Sequence, residues 1–413
     1  MRRFLALVVL LAPFATPKMP VEEFRARRAN LRKALDGVLV LFGRVEGRDE
    51  VFRSDQEPNF YYLTGWSQPA ARLLITPTEE ILFLPHHNER AERFQGKRAS
   101  AEDSGISALT GFDQVLPIEK FETELDKALA SHENLYALAT PSVGAGTEKL
   151  KARYPFREIS DAAPHITKLR VKKSPAELAA IQRATDVTLQ AHLSAWKRMT
   201  PGMYEYQIHA TLEDFFLENG CEAVAYAPIV GSGPNGVVLH YSVNRRRMDR
   251  GEVVVMDSAA QCDGYTSDIT RTVPVGGKFT PRQREIYQIV LGAQKAAIAA
   301  MKPGVRLSGD GDTLQKVAKD YMDAHGKDLH GQPLSKYFVH GLGHQVGLQV
   351  HDPNIEGPLE AGMVVTVEPG IYIPEEGIGV RIEDVVLVTE NGAKILSGAL
   401  PREPDEIEKA VAK

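Results

Sequence analysis

Residues 253–272, "VVVMDSAAQCDGYTSDITRT", place three aspartates in a stretch that otherwise has the pattern of two β-strands. The Asp-Gly pair at 263–264 predicts a two-residue hairpin turn, because a type I′ turn needs a positive φ at both central residues. Counting outward from that turn, Asp257 becomes the diagonal neighbour of Asp268, with about 7–8 Å between their Cα atoms. Two carboxylates therefore converge on one spot, whereas Asp263 is interpreted as a turn former.

Convergent carboxylates in buried strands need a physical explanation, because strand interiors rarely contain them. Two such groups cannot both stay ionised unless a cation lies between them or one of them takes up a proton. A metal ion is therefore the first candidate. The chain contains only two cysteines, Cys221 and Cys262, so we expect neither a disulfide framework nor a cysteine-built zinc site. Oxygen and imidazole ligands must hold any metal.

The composition sets broad limits on the class of protein. A chain of 413 residues is long enough for two domains with full cores. The apolar content of 43% and the charged content of 25% are ordinary for a globular protein. The net charge of −5 gives no support to a nucleic-acid partner.

The N-terminal segment, "MRRFLALVVLLAPFATPKMP", has two arginines followed by an apolar run from Phe4 to Phe14. This run is too short to span a bilayer, but it is typical of the apolar core of a signal peptide. We therefore expect residues 1–19 to be a signal peptide and the protein to be exported, periplasmic or secreted, without a stable membrane span. The alternative is a cytoplasmic chain that starts at Met19.

Helix and strand signals divide the rest of the chain into two domains. Short strands between helical patterns in residues 20–165 predict a small α/β domain. Residues 166–413 begin with a helix-capping signature at Ser174. In this part, "MTPGM" from Met199 and "MKPGV" from Met301 each end a helix that a second helix follows. The repeat predicts an α+β fold with two duplicated halves that enclose a cleft.

A histidine-rich stretch, "YFVHGLGHQVGLQVHDP", carries His340, His344 and His351. Its glycines argue against a helix and no glutamate follows His340, so this is not the zincin motif. Three histidines within twelve residues are hard to explain as core residues. The stretch therefore predicts a functional site.

Two later strands each contain a glutamate: "GMVVTVEPGIYI" has Glu368, and "GIGVRIEDVVLVT" has Glu383. Arg381 would share a strand face with Glu383, since side chains alternate along a strand. Four acids in strand centres, together with one imidazole, suit two divalent ions, for which we expect manganese with cobalt and zinc as alternatives. The predicted ligands are Asp257, Asp268, His344, Glu368 and Glu383.

The stretch "GSGPNG", residues 231–236, formally matches a dinucleotide-binding fingerprint. Its context is wrong, because Pro234 and the following "VVLHY" predict a strand, whereas a pyrophosphate needs a helix N-terminus there. We interpret the segment as a glycine-lined approach to the cleft that leads to His240.

Several of these runs resemble those of the pita-bread metallopeptidases, specifically aminopeptidase P and prolidase. They are "MDSAAQCDGYTSDITRTVPVGGKFTPRQREIY", "HGLGHQVGLQVHD", "VEPGIYI" and "VRIEDVVLVT", and "FRSDQEPNFYYLTGW" is similar to the N-terminal domain of aminopeptidase P. The resemblance covers nearly everything after residue 20 and includes five ligands in the family's order. It implies a C-terminal pita-bread domain with pseudo-twofold duplicated halves, preceded by a smaller α/β creatinase-like domain.

The resemblance also implies a role for each ligand. Asp257 would bind one metal ion, and Asp268 and Glu383 would bridge both ions. His344 and Glu368 would complete the second ion's ligands, with Glu368 also acting as the general base.

Further residues match positions around the family's metal site. His240, His340 and His351 match its histidines, and Arg381 matches the partner of the bridging acid. The chain departs from the family at Ala259, where a glycine is usual, and in a shorter segment after residue 351. Because of that shorter segment, the resemblance does not assign the substrate-pocket residues there.

The implied activity is that of a dinuclear Xaa-Pro aminopeptidase, which removes one residue from a peptide with proline in the second position. The alternatives are a prolidase that acts on Xaa-Pro dipeptides, a non-catalytic pita-bread binding module and a metal-free enzyme of the creatinase type. The complete ligand set argues against the last two. We also expect a homo-oligomer.

Overall fold

The computed structural model describes residues 19–45, 56–139 and 146–411, so the predicted signal peptide lies outside the described residues apart from its last position. The chain forms two compact units. One comprises Met19–Lys172 with Pro353–Ile355, and the other comprises Lys173–Asp352 with the residues from Glu356 onward. The division expected between residues 165 and 166 falls inside a helix, Ala163–Arg170, and the units divide after that helix.

The N-terminal unit is built on a six-stranded mixed sheet. Its strands are β1 (Gly37–Phe42), β2 (Arg72–Ile75), β3 (Glu80–Leu84), β4 (Gln114–Pro117), β5 (Asn134–Ala137) and β6 (Ile159–Asp161), in the order β4-β3-β2-β1-β5-β6. Its helices are α1 (Val21–Ala34), α2 (Pro58–Thr64), α3 (Glu89–Gln95), α4 (Ile106–Thr110), α5 (Phe121–Ser131), α6 (Gly146–Arg153) and α7 (Ala163–Arg170). β1 pairs in parallel with β5 and antiparallel with β2, as a mixed α/β sheet requires. Apolar side chains from β1, β3 and α5 form one buried core.

The second unit contains two helix pairs and short antiparallel sheets. Its helices are α8 (Pro175–Arg198), α9 (Glu205–Glu218), α10 (Pro281–Ala300), α11 (Leu314–His325) and α12 (Pro404–Val411). Its strands are β7 (Ala223–Val224), β8 (Ile229–Ser232), β9 (Val253–Asp257), β10 (Ala260–Cys262), β11 (Tyr265–Thr266), β12 (Thr270–Pro274), β13 (Val364–Val367), β14 (Gly370–Ile373), β15 (Ile378–Arg381), β16 (Asp384–Thr389) and β17 (Gly392–Ile395).

The two halves of this unit begin in the same way. α8 and α10 both start with a reciprocal capping box, from Ser174 with Glu177 and from Thr280 with Gln283, and both have proline in the first turn. α8 packs against α9, and α10 packs against α11. An antiparallel three-stranded sheet follows each pair, in the orders β12-β9-β8 and β13-β16-β17. The predicted repeat is therefore present as a helix pair plus sheet in each half.

The hairpin that contains the aspartates has the predicted register. Cys262 pairs with Tyr265, and both turn residues have positive φ, 54° at Asp263 and 79° at Gly264. The same register continues to the pairing of Thr270 with Asp257. Asp268 lies in the short segment between β11 and β12, diagonally across from Asp257 as expected.

The acids do not lie in strand centres, contrary to the expectation. Asp257 is the last residue of β9, and Glu368 follows the last residue of β13. Glu383 lies between β15 and β16, outside both strands. Strand ends release the backbone from ladder pairing, so side chains from different sheets can turn toward one point. The predicted strand after Pro234 is also wrong, because residues 233–237 form a 3₁₀ helix and the following residues form a turn.

The two cysteines are joined, although no disulfide framework was expected. The bond between Cys221 and Cys262 links the segment after α9 to β10. It forms because β7 pairs with β10, and the nearby Glu222 N–H donates to the Gln261 carbonyl at 2.9 Å. Among the described residues, no helix is both long enough and apolar enough to cross a membrane.

Candidate metal centre

Strand ends from both halves of the second unit surround a cavity of about 450 Å³. All nine residues that the sequence analysis assigned to the site line it. These residues are His240, Asp257, Asp268, His340, His344, His351, Glu368, Arg381 and Glu383. Since they come from positions spread over more than a hundred residues of sequence, the fold brings the predicted set together at one place.

Three predicted ligands form the tightest group. Asp268, His344 and Glu383 each offer one ligand atom, and these three atoms lie within 4.8 Å of one another. The Nε2 atom of His344 lies 3.3 Å from Asp268 Oδ2 and 3.4 Å from Glu368 Oε1. One imidazole and three carboxylates therefore point at a common volume that a cation could occupy.

Asp257 has two close partners around its carboxylate. Arg381 Nη2 donates to Asp257 Oδ2 at 2.6 Å, and the hydroxyl of Tyr226 donates to Asp257 Oδ1 at 2.5 Å. The same hydroxyl lies 2.6 Å from Asp268 Oδ1, so Tyr226 connects the two aspartates of the hairpin. The sequence analysis missed this residue, because an isolated tyrosine in "EAVAYAPIV" carries no spacing signal that would separate it from a core residue.

Arg381 and Glu383 were expected to share a strand face. β15 ends at Arg381, so the two side chains meet through a third residue instead. The hydroxyl of Thr270 donates to Glu383 Oε2 at 2.7 Å and accepts from Arg381 Nε at 3.1 Å. Arg381 thus makes its direct ion pair with Asp257 and reaches Glu383 only through Thr270.

A second threonine holds Glu368. The Thr366 hydroxyl donates to Glu368 Oε1 at 3.0 Å and accepts from the His344 N–H, also at 3.0 Å. The Glu368 N–H donates to the Leu342 carbonyl at 2.8 Å. These bonds tie the end of β13 to the histidine-rich loop and orient two of the predicted ligands relative to each other.

The other three histidines occupy different positions around the cavity. His340 Nε2 lies 2.9 Å from the Tyr372 hydroxyl, which accepts a hydrogen bond from Arg381 Nη1 at 2.9 Å. The ring of His351 packs edge-on against His344, with 4.3 Å between ring centroids. His240 is exposed in the turn after the 3₁₀ helix, at the cavity wall.

Burial destabilises the charged forms of the acids in this cluster. It raises the pKa of Glu368 to about 7 and the pKa of Glu383 well above its ordinary value, with neighbouring carboxylates adding to both effects. Burial also raises the pKa of Asp257, although the Arg381 guanidinium opposes this. A divalent cation would remove this mutual repulsion. The donor set of carboxylates and one imidazole therefore fits a hard divalent metal.

Three histidines around the cavity have pKa values shifted in opposite directions. Burial lowers the pKa of His344, but its hydrogen bond to Asp268 and the charges of Asp268 and Glu368 outweigh burial and raise the pKa to about 9. Burial and the Arg381 charge lower the pKa of His340 to about 4, and burial lowers the pKa of His351. In the metal-free protein a proton on His344 thus takes the place that a metal ion would fill.

These features define a class: a metal-dependent hydrolase whose centre is shared by duplicated halves of an α+β domain. Residues 179–390 match the family described as "Metallopeptidase family M24", and residues 24–136 match "Aminopeptidase P, N-terminal domain". The chain belongs to metallopeptidase family M24. The expected pita-bread fold with a creatinase-like N-terminal domain is confirmed by this membership and by the solved structure described below.

Individual relatives resemble the chain over almost its whole length. A protein of Haemophilus influenzae named "Xaa-Pro aminopeptidase" is 36% identical, covering 95% of this chain and 97% of the relative. One of Pyrococcus horikoshii named "Xaa-Pro dipeptidase" is 35% identical, covering 83% and 91%. The solved structure of a putative aminopeptidase P from Bacillus anthracis superposes with a TM-score of 0.87 at 32% identity, covering 95% of this chain and 98% of that chain.

Proposed function

We propose that this protein is a metal-dependent Xaa-Pro aminopeptidase, which removes the first residue of a peptide whose second residue is proline. The observation that carries the proposal is the single cavity lined by all five predicted ligands and by His240, His340, His351 and Arg381. Family membership and the names of the relatives support the same activity. A non-catalytic binding module or a metal-free enzyme would not need to keep three buried carboxylates and a half-buried fourth beside an imidazole.

The metal content that we propose is two divalent ions, with manganese preferred and cobalt or zinc as alternatives. Asp257, Asp268, His344, Glu368 and Glu383 would hold them, since these five side chains surround the cavity. Asp268 and Glu383 would each contribute a carboxylate to both ions, as the family resemblance implies, and their ligand atoms lie within 4.8 Å of each other and of the His344 ligand atom. When bound, the ions polarise the scissile carbonyl and lower the pKa of a water molecule.

The chain's own residues then handle the proton and the developing charge. Glu368, at the edge of the proposed ligand set, would take the proton of the attacking water and return it to the proline nitrogen. His351 and His240 donate hydrogen bonds to the carbonyl oxygen as negative charge develops there. His340 fixes the Tyr372 hydroxyl, and Arg381 holds Asp257 in place through the ion pair.

A prolidase activity is the second candidate, favoured by the similarity to the Pyrococcus horikoshii dipeptidase. The match of residues 24–136 to the aminopeptidase P N-terminal domain supports the first candidate. The manganese-loaded enzyme should cleave a Gly-Pro-Xaa tripeptide with a higher kcat/KM than a Gly-Pro dipeptide. The reverse preference would identify a prolidase, and hydrolysis of neither peptide would contradict both.

Export is part of the proposal. The disulfide between Cys221 and Cys262 supports it, because such bonds persist in oxidising compartments. Intact-mass measurement of the protein from its native host should show that residues 1–19 have been removed. A mass that includes them would favour the cytoplasmic alternative.

The expected homo-oligomer stays a prediction that sedimentation velocity can check.

A further inference from the structure

The side chain of Glu205, at the first position of α9, is fully buried yet is not one of the ligands. Its Oε1 atom accepts hydrogen bonds from the Ser232 N–H at 2.8 Å, the Ser232 hydroxyl at 2.7 Å and Asn235 Nδ2 at 3.1 Å. Its Oε2 atom accepts from the Tyr241 hydroxyl and the Arg246 N–H, both at 2.8 Å. A single carboxylate thus gathers donors from one continuous segment of chain.

That segment, residues 232–246, is hereafter called the His240 loop. It includes most of the "GSGPNG" run, which the proposed mechanism leaves without a role. Two further contacts join the start of α9 to the end of the loop and the residue after it: the Glu205 N–H donates to the Arg246 carbonyl at 3.0 Å, and Tyr204 forms an isolated β-bridge with Arg247. Among the described residues, the hydrogen bonds that the Glu205 side chain accepts therefore all come from this loop.

Apolar burial does little to hold the tip of the His240 loop. Val238 is 52% exposed and Val243 is 66% exposed, so the two valines that flank His240 face solvent. Hydrogen bonds to an ionised acceptor are about twice as strong as those between neutral groups. A buried carboxylate that accepts several of them therefore holds its donors in fixed positions. Glu205 therefore anchors this loop, together with the buried Asn244, whose side chain accepts from the Val230 N–H at 3.0 Å and donates to the Pro228 carbonyl at 2.8 Å.

The loop borders the cavity where the mechanism needs His240. The Leu239 carbonyl accepts a hydrogen bond from Arg381 Nη2 at 3.4 Å, beside the ion pair with Asp257. Leu239 and His240 both line the cavity. The position of the His240 ring relative to the ligands therefore depends on how firmly the loop is attached at Glu205.

We propose that Glu205 is a positioning residue that sets the place of His240 in the active site. The proposal rests on the function proposed above, because His240 acts there as a donor to the carbonyl oxygen. Glu205 does not touch the substrate or the metals in this scheme, and it acts only through the loop.

A double-mutant cycle tests the proposal. In the manganese-loaded enzyme, Glu205→Ala should lower kcat/KM for a Gly-Pro-Xaa tripeptide by about 10-fold or more, mainly through kcat, with unchanged metal content. In a His240→Ala background the same substitution should cost less than about 2-fold, because the group that it positions has gone. Equal losses in the two backgrounds, or loss of bound metal, would overturn the proposal.

Milder variants keep the test valid if Glu205→Ala fails to fold. Tyr241→Phe removes one of the donors to Glu205 and should lower kcat by about 3-fold, again only when His240 is present. Tyr206→Phe is the matched control, since its ring is exposed and stacks on Tyr204 outside the Glu205 hydrogen bonds. This control should keep wild-type kcat and KM.

A readout that does not depend on catalysis separates this proposal from the proposed function. Amide hydrogen exchange in residues 233–246 should be faster in Tyr241→Phe or Glu205→Ala than in wild type, while exchange in residues 253–272 stays unchanged. Wild-type protein that hydrolyses no Xaa-Pro peptide would contradict the proposed function alone. Unchanged exchange in the His240 loop would contradict the positioning role alone.

Discussion

Arg381 Nη2 lies 2.6 Å from Asp257 Oδ2, so the last residue of β15 in one half is paired with the last residue of β9 in the other. Both side chains are buried, so solvent screens their charges little, and both charges must be included in the charge of the site. With all four acids ionised the ligands would carry −4, and Arg381 brings the sum to −3. Two divalent ions would offset this charge, whereas in the metal-free protein the raised pKa values of Glu368 and Glu383 and the proton on His344 offset part of it.

The shape of the Arg381 side chain should matter as well as its charge. Its guanidinium bonds Asp257, Tyr372 and Thr270 at once, and the point charge of a lysine cannot reproduce this planar set. We expect Arg381→Lys to lower kcat/KM by about 10-fold or more. Arg282→Lys, which alters an ion pair with Glu376 away from the cavity, is the control for the same chemical change. A lysine variant with wild-type kcat/KM would show that charge alone suffices.

Asp268→Asn should remove activity and most of the bound metal. A bridging ligand that becomes neutral weakens its hold on both ions, so the loss of affinity should be about 100-fold or more, above the 10–100-fold usual for partners around a metal site. Asp263→Asn in the same hairpin is the control, because asparagine also tolerates the positive φ of 54° at that turn position. Metal content measured by elemental analysis decides the matter. Full occupancy with normal turnover would refute the ligand assignment.

His240→Ala should keep the metals but lower kcat/KM for Xaa-Pro peptides by about 100-fold, as expected for a lost transition-state hydrogen bond. Metal content, melting temperature and kcat/KM should be measured on a Gly-Pro-Xaa and a Gly-Ala-Xaa peptide. Equal losses on both peptides together with a lower melting temperature would mean that His240 is structural and that proline is recognised elsewhere.

The stability of the metal-free protein should depend on pH through the titration of Glu368. Its folded-state pKa of about 7 lies above the ordinary 4.5, so the folded state binds this proton more tightly than the unfolded state. Its contribution to stability is complete below pH 4.5 and is lost as the pH rises toward 7. Melting curves of metal-free protein between these limits should show that loss, and Glu368→Gln should reduce it. A slope unchanged by the substitution would assign the effect to other groups.

Metal affinity should rise with pH, whereas the stability of the metal-free protein should fall. Ions must displace the protons on Glu368 and His344, whose metal-free pKa values are about 7 and about 9. Binding should therefore weaken as the pH falls below about 9, and more steeply below about 7, with protons released on binding. Calorimetric titration with Mn²⁺ in two buffers of different ionisation enthalpy measures both quantities.

Removing the disulfide should lower the free energy of unfolding but leave kcat unchanged. The bond closes a loop of 41 residues, for which chain entropy predicts a stabilisation of about 4 kcal/mol. The Cys221→Ser, Cys262→Ser double variant should therefore unfold at lower denaturant concentration, while its kcat stays close to wild type. Reductant should destabilise the wild type and leave the variant unchanged. Equal stability of both proteins without reductant would contradict this expectation.

Local patterns in the sequence predicted the hairpin and the choice of ligands. The Asp-Gly turn sets the register between Cys262 and Tyr265, and the same register holds where Asp257 pairs with Thr270, although the two pairings belong to different sheets. The predicted ligands were selected by residue type, because buried acids are costly without a cation or another charged partner. Both inferences use only neighbours in sequence, and the five predicted ligands line one cavity.

Contacts between distant segments could not be predicted in this way. Tyr226 and Thr270 bond the acids across separations that no spacing rule covers. The expectation that Arg381 and Glu383 share a strand face was wrong because β15 ends between them, and strand ends depend on pairing partners. The disulfide was missed for the same reason, since it needs β7 to pair with β10.

The division of the ligands between two halves has a consequence for synthesis of the chain. The ribosome makes Asp257 and Asp268 well before His344, Glu368, Arg381 and Glu383, so a nascent chain exposes two acids with neither their arginine nor their imidazole partner. Two carboxylates are too few to retain a divalent ion against water. The full set of proposed ligands therefore exists only after the chain has been synthesised as far as residue 383. A truncation anywhere before residue 383 would remove at least one of these ligands.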